Sequence, residues 1–313
     1  MMAQAEVRGL AGPEQVIRLR PTRGLAARTV AQLVQTRGGI FGLSVLLGLA
    51  LVAVTAQALA VDDPYEVGAG DQFESPSRAH PFGTDELGRD VFSRILFGAR
   101  ISLTVALASA WGAFVLALPM GLLAGYVGGI VDIAISRLFD TIFAFPSILL
   151  GIALVAIRGA SLANIILAVA VIYVPMLGRL TRVSVMIQLG QEYVEAARAA
   201  GASGIWIVTR HILPNVLPPL LVQMTLVMAD AVLLEAAFSF LGLGIRPPEP
   251  SWGVMLDTGR NYLAVAPWLG LFAGLAVTVM ILALNALGDA LRVALDPRRY
   301  ARTGGRAMGG RHG

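Results

Sequence analysis

The chain has no cysteine among its 313 residues, its 24 basic residues are all arginine, and only 14% of its residues are charged. The absence of cysteine excludes disulfides and thiol chemistry. The absence of lysine excludes the phosphate-binding P-loop, G-x-x-x-x-G-K-[ST], from this chain. A soluble domain has roughly one quarter of its residues charged, so the bilayer is the expected solvent, and we expect no nucleic-acid partner.

Histidine is also scarce, and the three that are present stand far apart, at His80, His211 and His312. This spacing does not form a local metal motif of the H-E-x-x-H kind. The sequence therefore predicts neither a metal site nor a catalytic residue.

Hydrophobic residues make up 56% of the chain and gather in long runs. A helix that crosses a bilayer needs about 20 mostly apolar residues. The runs that meet this requirement predict six transmembrane helices, at about 39–61, 101–125, 132–157, 161–180, 217–244 and 266–291. The prediction is an all-α, multi-pass membrane protein.

The distribution of arginine predicts its orientation. Six arginines precede the first span and six follow the last, and arginines beside spans tend to stay in the cytoplasm. Both tails, 1–38 and 292–313, and the loop 181–216 within the core 100–291 are therefore expected inside. The acid-rich segment 62–99 is expected outside.

Within that outer segment, residues 80–100 alternate acids, arginines and apolar residues, a pattern typical of a helix on the membrane surface. Two roles stay open for it, contact with a substrate-delivering protein or cover for the rim of the bundle. The proline-rich loop 246–261 is expected to form a rigid outer turn.

Glycine and proline mark packing within the spans. Gly121, Gly125 and Gly129 repeat at four-residue spacing, which lets helix backbones approach closely. Pro146 and Pro175 predict kinks in their helices.

Residues 192–215, EYVEAARAAGASGIWIVTRHILPN, interrupt the apolar runs with charged and small residues; we call this segment the wedge. Helix formers up to Ala200 followed by Gly201 predict a short helix ended by a left-handed residue. Ser203 is placed to cap a second helix, which Leu213-Pro214 would end.

The first wedge helix carries a small face formed by Ala196, Ala197 and Ala200. This face would let another protein approach closely, and the charges of Glu195 and Arg198 would orient the contact. A solvated loop is the alternative; it accounts for the charge but not for the alanine face, the bend and the proline together.

The wedge resembles the EAA motif of bacterial ABC importer permeases, whose usual form is E-A-A-x-x-x-G-x9-I-x-L-P. The matching positions are Glu195, Ala196, Ala197, Gly201, Leu213 and Pro214. The chain departs from the motif at His211, where isoleucine is commoner, although RHILPN resembles the peptide-permease version. The resemblance implies a coupling helix that docks in a groove of a separate ATPase subunit.

Four further stretches resemble the dipeptide/oligopeptide/nickel permease family, specifically its C-type subunit. They are HPFGTDELGRDVFSRILFGARISL at 80–103, FDTIFAFPSILL at 139–150, EAAFSFLGLGIRPPEPSWGVML at 235–256 and LNALGDALRVALDPR at 284–298. The likeness extends from about residue 30 to residue 299.

The resemblance implies a type I ABC importer permease fold in the bacterial cytoplasmic membrane, working by alternating access. It implies four kinds of partner: a homologous permease that completes a heterodimer, two ABC ATPase subunits, an extracytoplasmic substrate-binding protein and the lipid bilayer. The chain itself would be no enzyme and hold no cofactor, since ATP and Mg would bind to the ATPases.

Three acids lie in or near predicted spans, at Asp140, Asp230 and Glu235. Acids are costly in hydrocarbon and therefore mark candidate positions on a translocation path, unless they pair within the bundle. Asp140 and Glu235 sit in family-typical motifs, which favours a structural role for them. Asp230 is the better path candidate.

Short peptides are the cargo that the resemblance favours, with nickel or glutathione as alternatives. An ion-coupled secondary transporter would also show six spans and buried acids. Such transporters often contain inverted repeats, and none is evident here.

Overall fold

The computed structural model describes residue 29 and residues 31–295, so most of both predicted tails lies outside the described residues. Most of the described part consists of helices. They are α1 Arg37–Leu59, α2 Val91–Val127, α3 Gly129–Phe143, α4 Ser147–Arg158, α5 Leu162–Leu189, α6 Glu192–Ala199, α7 Gly204–Ile207, α8 Leu213–Phe240, α9 Trp252–Asn261 and α10 Pro267–Ala294.

Five helical stretches in the described residues are long and apolar enough to cross a bilayer: α1, α2, α5, α10 and the continuous run Gly204–Phe240. Helices α3 and α4 meet that requirement only together, and they are bent by 88° at the break between them. Counted as one span, the pair completes six. The predicted all-α membrane architecture is confirmed.

The bend corrects the expectation of one helix over 132–157. Pro146 lies at the break and adopts an extended ψ of 129° just before α4. A proline disfavours the helical conformation of the residue before it and cannot donate its own backbone hydrogen bond. The break therefore separates two shorter helices instead of kinking a single one.

The longest helices also differ from their predicted bounds. Helix α2 begins at Val91, well before the predicted start at 101, and α5 continues to Leu189, into the predicted loop 181–216. Apolar composition marked the parts of these helices that suit hydrocarbon. Polar ends that continue the same hydrogen-bonded helix carry no such signal.

Helices α2 and α5 form the most extensive helix pair, and glycine brings their backbones together. A Cβ atom on Gly121 would lie 2.6 Å from the Gly178 carbonyl oxygen, and one on Gly125 would lie 2.8 Å from the Arg182 carbonyl oxygen. These two contacts confirm close packing. Gly129 does not share it: it begins α3 with a positive φ of 57°, and no described residue comes within 4 Å of its Cβ position.

Residues 60–90 form an irregular segment and residues 91–100 are the mostly buried start of α2, so the expected surface helix over 80–100 is wrong. Buried charges hold this segment: Arg89 Nε donates to Asp85 Oδ2 at 2.7 Å, and Arg94 lies 3.5 Å from the same oxygen. Asp90 caps α2 by accepting from the Ser93 amide at 2.7 Å. Internal ion pairs thus replace the one-sided exposure that a surface helix requires.

The segment 246–261 packs at the same end of the bundle and contains α9, which corrects the expected turn. Trp252 is only 1% exposed and its indole donates to the Ile95 carbonyl at 2.9 Å. The Tyr65 hydroxyl donates to Glu249 at 3.1 Å. Burial, reinforced by the Glu249 carboxylate, raises the pKa of Tyr65 above its ordinary value, so the hydroxyl keeps the proton it donates.

Candidate functional site: the wedge and the membrane acids

The first wedge helix, α6, ends as the sequence predicts. Gly201 has a φ of 81°, the left-handed region that glycine tolerates best. The Gly201 amide donates to the Arg198 carbonyl at 2.9 Å and the Ala202 amide donates to the Ala197 carbonyl at 3.1 Å. This pair of bonds is a Schellman motif, which satisfies the last carbonyls of the helix and turns the chain.

The second wedge helix begins as predicted but does not stop at Pro214. Ser203 caps α7 by accepting from the Trp206 amide. The chain then passes through a π-helical turn, Val208–Ile212, directly into α8. This turn has i→i+5 hydrogen bonds and is wider than an α-helical turn. It accommodates Pro214, which has no backbone N–H to donate. The wedge is therefore joined rigidly to a membrane-crossing helix.

Apolar side chains anchor the inner side of the wedge. Val194, Ile207 and Ile212 are each at most 1% exposed, in one core cluster with residues of α2, α5 and α8. Gly204 lies against Tyr126 at the end of α2, where a Cβ atom would be 2.7 Å from the hydroxyl oxygen. The wedge is therefore packed directly against α2, α5 and α8.

An aromatic and polar group connects the two wedge helices. The His211 ring lies between Tyr193 and Trp206, with ring centroids 5.6 Å and 4.8 Å away. Asn215 donates to the His211 carbonyl at 2.7 Å and to the Tyr193 hydroxyl at 3.3 Å. His211, where the chain departs from the usual motif, thus belongs to the internal structure of the wedge.

The opposite face of the wedge is open. Glu195, Ala196, Arg198 and Ala200 are exposed, and Ala197 is half-buried. Leu213 is half-buried and Pro214 exposed at the start of α8. The alanine side chains form a shallow surface that suits close approach by another protein. The neighbouring acid and arginine can orient such a contact through their charges. The coupling role of these residues stays a prediction.

The three membrane acids occupy different environments. Glu235 is fully buried, and its Oε1 accepts from the hydroxyls of Ser239 and Ser251, both at 2.9 Å. Ser251 in turn caps α9 by accepting from the Val254 amide at 3.2 Å. Glu235 therefore joins α8 to the start of α9 inside the bundle, which favours a structural role, and its place on a translocation path stays a prediction.

Asp140 pairs with arginine across helices. Arg179 of α5 donates to Asp140 Oδ1 at 2.5 Å, and the same guanidinium lies 4.5 Å from the centre of the Phe143 ring. The pair is about half exposed in this chain. It therefore joins α3 to α5, which favours a structural role for Asp140, and its place on a translocation path stays a prediction.

Asp230 lies on an exposed part of α8, beside Tyr173 of α5. Gln223 is seven residues away on the same face of α8, and its amide contacts the Met176 sulfur at 3.6 Å. These residues form a polar row between two membrane-crossing helices. Of the three acids, Asp230 alone is exposed without a paired arginine among the described residues.

Sequence reasoning missed Tyr173, Gln223 and an ion pair between Asp132 and Arg182. The Arg182 guanidinium donates through Nε to Asp132 and through Nη2 to Asp132 Oδ2 at 2.6 Å, joining α3 to α5. The seven-residue interval from Gln223 to Asp230 was a readable helical signal. The pairing of Asp132 with Arg182, 50 residues apart, had none.

Comparisons with known proteins agree with this geometry. Residues 117–300 match the family described as "Binding-protein-dependent transport system inner membrane component". The dipeptide transport system permease protein DppC of Alkalihalophilus pseudofirmus is 44% identical over 85% of this chain and 88% of its own length. The glutathione transport system permease protein GsiD of Pectobacterium atrosepticum is 42% identical over 89% and 91%.

The fold also matches solved structures. The inward-facing MetNI methionine ABC transporter superposes with a TM-score of 0.55 at 20% identity, over 66% of this chain and 97% of that chain. At this identity the likeness shows the fold alone.

Proposed function

This chain belongs to the family of binding-protein-dependent transport system inner membrane components and is the permease subunit of an ABC importer, and from that premise we propose that its cargo is short peptides. Family membership decides against the ion-coupled secondary transporter. The names of relatives support peptide cargo, since they include a dipeptide and a di/tripeptide permease. The observation that carries the proposal is the polar row of Gln223, Asp230 and Tyr173 between two membrane-crossing helices.

In this proposal the open face of the wedge docks in an ATPase subunit. The exposed residues Glu195, Ala196, Arg198 and Ala200 form the contact surface. The buried inner side of the wedge packs against α2, α5 and α8. ATP and Mg bind to the two ATPase subunits, which is consistent with a chain that lacks the P-loop lysine. A homologous permease covers the exposed row around Asp230 and completes an alternating-access pathway.

The orientation follows from the same proposal. The wedge and both tails face the cytoplasm, and the segments 60–90 and 246–261 face outward, where a substrate-binding protein delivers the peptide. Arginine beside the spans supports this arrangement.

Cysteine labelling tests the orientation without interference, because the chain has no cysteine of its own. We expect Ser77→Cys, at an exposed position, to react with a membrane-impermeant maleimide in intact cells. Arg20→Cys, which lies outside the described residues, should react only after permeabilisation. Reaction of Arg20→Cys in intact cells would contradict a cytoplasmic amino terminus.

Uptake into vesicles tests the cargo. We expect the assembled importer to accumulate labelled di- and tripeptides only when ATP is present on the wedge side, and substrate to stimulate ATP hydrolysis. Unlabelled glutathione and Ni²⁺ serve as competitors. Uptake of Ni²⁺ with no peptide uptake would overturn the peptide proposal while leaving the family assignment intact.

Asp230→Asn tests the path. The change keeps the shape of the side chain and removes its charge, so we expect peptide uptake to fall by roughly tenfold or more while assembly with the partners is kept. Asp71→Asn, the same change at an exposed position outside the spans, is the matched control. Uptake equal to the control across several peptides would remove Asp230 from the path.

A further inference from the structure

Three side chains of the segment 60–90 meet at the end of the bundle opposite the wedge. His80 Nδ1 lies 3.1 Å from Asp90 Oδ1 and 3.6 Å from Asp62 Oδ2. One ligand atom from each residue lies within 4.8 Å of the others. All three lie in the irregular segment 60–90: Asp62 shortly after α1, His80 within it, and Asp90 at its end as the N-cap of α2.

A hydrogen bond between His80 and Asp90 involves only two of the three side chains. A neutral ring whose Nδ1 carries a lone pair would face a carboxylate oxygen at hydrogen-bond distance, so either a proton or a cation lies between Nδ1 and Asp90. An Nδ1–H group that donates to Asp90 does not also donate to Asp62 Oδ2, which lies 3.6 Å from Nδ1. The described residues offer the Asp62 carboxylate no hydrogen-bond donor, and a second carboxylate stands beside it.

A metal ion would serve all three at once. Ligand atoms about 2.1 Å from a tetrahedral zinc ion are separated from one another by about 3.4 Å. The two distances from Nδ1, 3.1 Å and 3.6 Å, lie on either side of this value. One imidazole with two carboxylates suits Zn²⁺, whereas Ca²⁺ and Mg²⁺ favour shells made of oxygen.

The ligands are also positioned by their own hydrogen bonds. Asp90 uses Oδ2 to accept from the Ser93 amide at 2.7 Å, which leaves Oδ1 for an ion. The Ser93 hydroxyl accepts from the Asp62 amide at 3.2 Å, and the His80 amide donates to Ser77 at 3.1 Å. Such outer contacts orient the ligands of metal sites in general.

Solvent reaches the group from one side. Asp90 is fully buried and the His80 side chain is 8% exposed, but the Asp62 side chain is 30% exposed. Asp62 also lines an open pocket of about 440 Å³ that includes Asp63 and Gln57. This pocket offers an entry path and room for a water as fourth ligand.

We infer that Asp62, His80 and Asp90 form a Zn²⁺ site that clasps the segment 60–90 to the ends of α1 and α2. The sequence spacing of the histidines did not reveal it, because its ligands are one histidine and two aspartates spread over an irregular segment without helical or strand spacing. The site is independent of the cargo and of the ATPase contact.

Zinc binding to the full chain tests the inference. The protein is purified in detergent with an affinity tag that contains no histidine, stripped with a chelator and titrated with ZnCl₂. We expect about one Zn²⁺ per chain by elemental mass spectrometry, competition with a zinc-binding dye, and a thermal midpoint that rises with Zn²⁺.

Variants separate this site from incidental binding. We expect Asp62→Asn and His80→Gln to weaken Zn²⁺ binding by about tenfold or more. Glu74→Gln, a carboxylate 4.0 Å from the other ring nitrogen, should bind as the wild type does. Asp62→Asn keeps the His80–Asp90 contact, so it reports on binding even where His80→Gln fails to fold. No zinc in the wild type, or equal affinity in Asp62→Asn, would leave only a hydrogen-bonded histidine and overturn the site.

Discussion

Gly201→Asp is expected to bring peptide uptake close to background while the variant inserts normally into the membrane. A Cβ atom at Gly201 meets nothing within 4 Å among the described residues, so the added carboxylate finds space until a partner is present. Aspartate tolerates a left-handed backbone better than most residues, at a cost of about 1 kcal/mol. In the proposed docked complex, the same side chain adds bulk and charge to the contact surface.

The chain contains a close structural match for a control. Gly242 ends α8 with a φ of 76°, and a Cβ atom added there would have no neighbour within 4 Å in the described part of the chain. Its amide donates to the Ser239 carbonyl at 3.0 Å and the Leu243 amide donates to the Phe238 carbonyl at 2.9 Å, the same motif as at Gly201. Gly242→Asp therefore carries the same helix-end strain at the opposite end of the bundle.

The measurements are membrane insertion, co-purification of the ATPase subunits, peptide-stimulated ATP hydrolysis and uptake. We expect Gly201→Asp to lose stimulation and uptake, Gly201→Ala to be milder, and Gly242→Asp to keep both. Glu195→Ala should show a weaker form of the same loss, because it removes a charge that orients the contact but adds no bulk. Normal coupled transport by Gly201→Asp would refute the coupling role, and equal losses at Gly242 would assign the effect to helix-end strain.

Gly121→Leu is expected to eliminate folded permease. A Cβ atom at this position would overlap the Thr181 Cβ and lie 2.6 Å from the Gly178 carbonyl oxygen. The Gly178 carbonyl is part of the α5 backbone and cannot rotate aside as a side chain can. Helices α2 and α5 must therefore separate. Overpacking a close-packed interior by side-chain atoms alone costs about 1–3 kcal/mol, and forcing apart the most extensive helix pair should cost more.

Gly48→Leu is the matched control, since Gly48 lies in the membrane-crossing helix α1 and no described atom comes within 4 Å of its Cβ position. The measurement is the amount of monodisperse protein in detergent and its thermal midpoint. We expect Gly48→Leu to resemble the wild type and Gly121→Leu to aggregate or be degraded. A monodisperse Gly121→Leu with an unchanged midpoint would contradict the close approach of α2 and α5.

The sequence by itself determined where most membrane helices lie and how the wedge begins. Both depend on neighbours along the chain: a run of apolar residues suits hydrocarbon wherever it occurs. Likewise, Gly201 and Ser203 act through hydrogen bonds to residues within one or two turns. The motif resemblance identified the family from the same local information, and the family is confirmed.

Only the tertiary structure decided what depends on segments distant in sequence. The π-helical turn Val208–Ile212 joins the wedge to α8, which contains Pro214, and the 88° bend separates α3 from α4. Packing placed Glu235 in the interior and left Asp230 exposed beside Tyr173, although both acids lie in one apolar helix. It also brought Asp62 and His80 together. The free energy of a buried acid depends on which hydrogen-bond donors, arginines or ions other helices place beside it. The residues near the acid in sequence do not determine those partners.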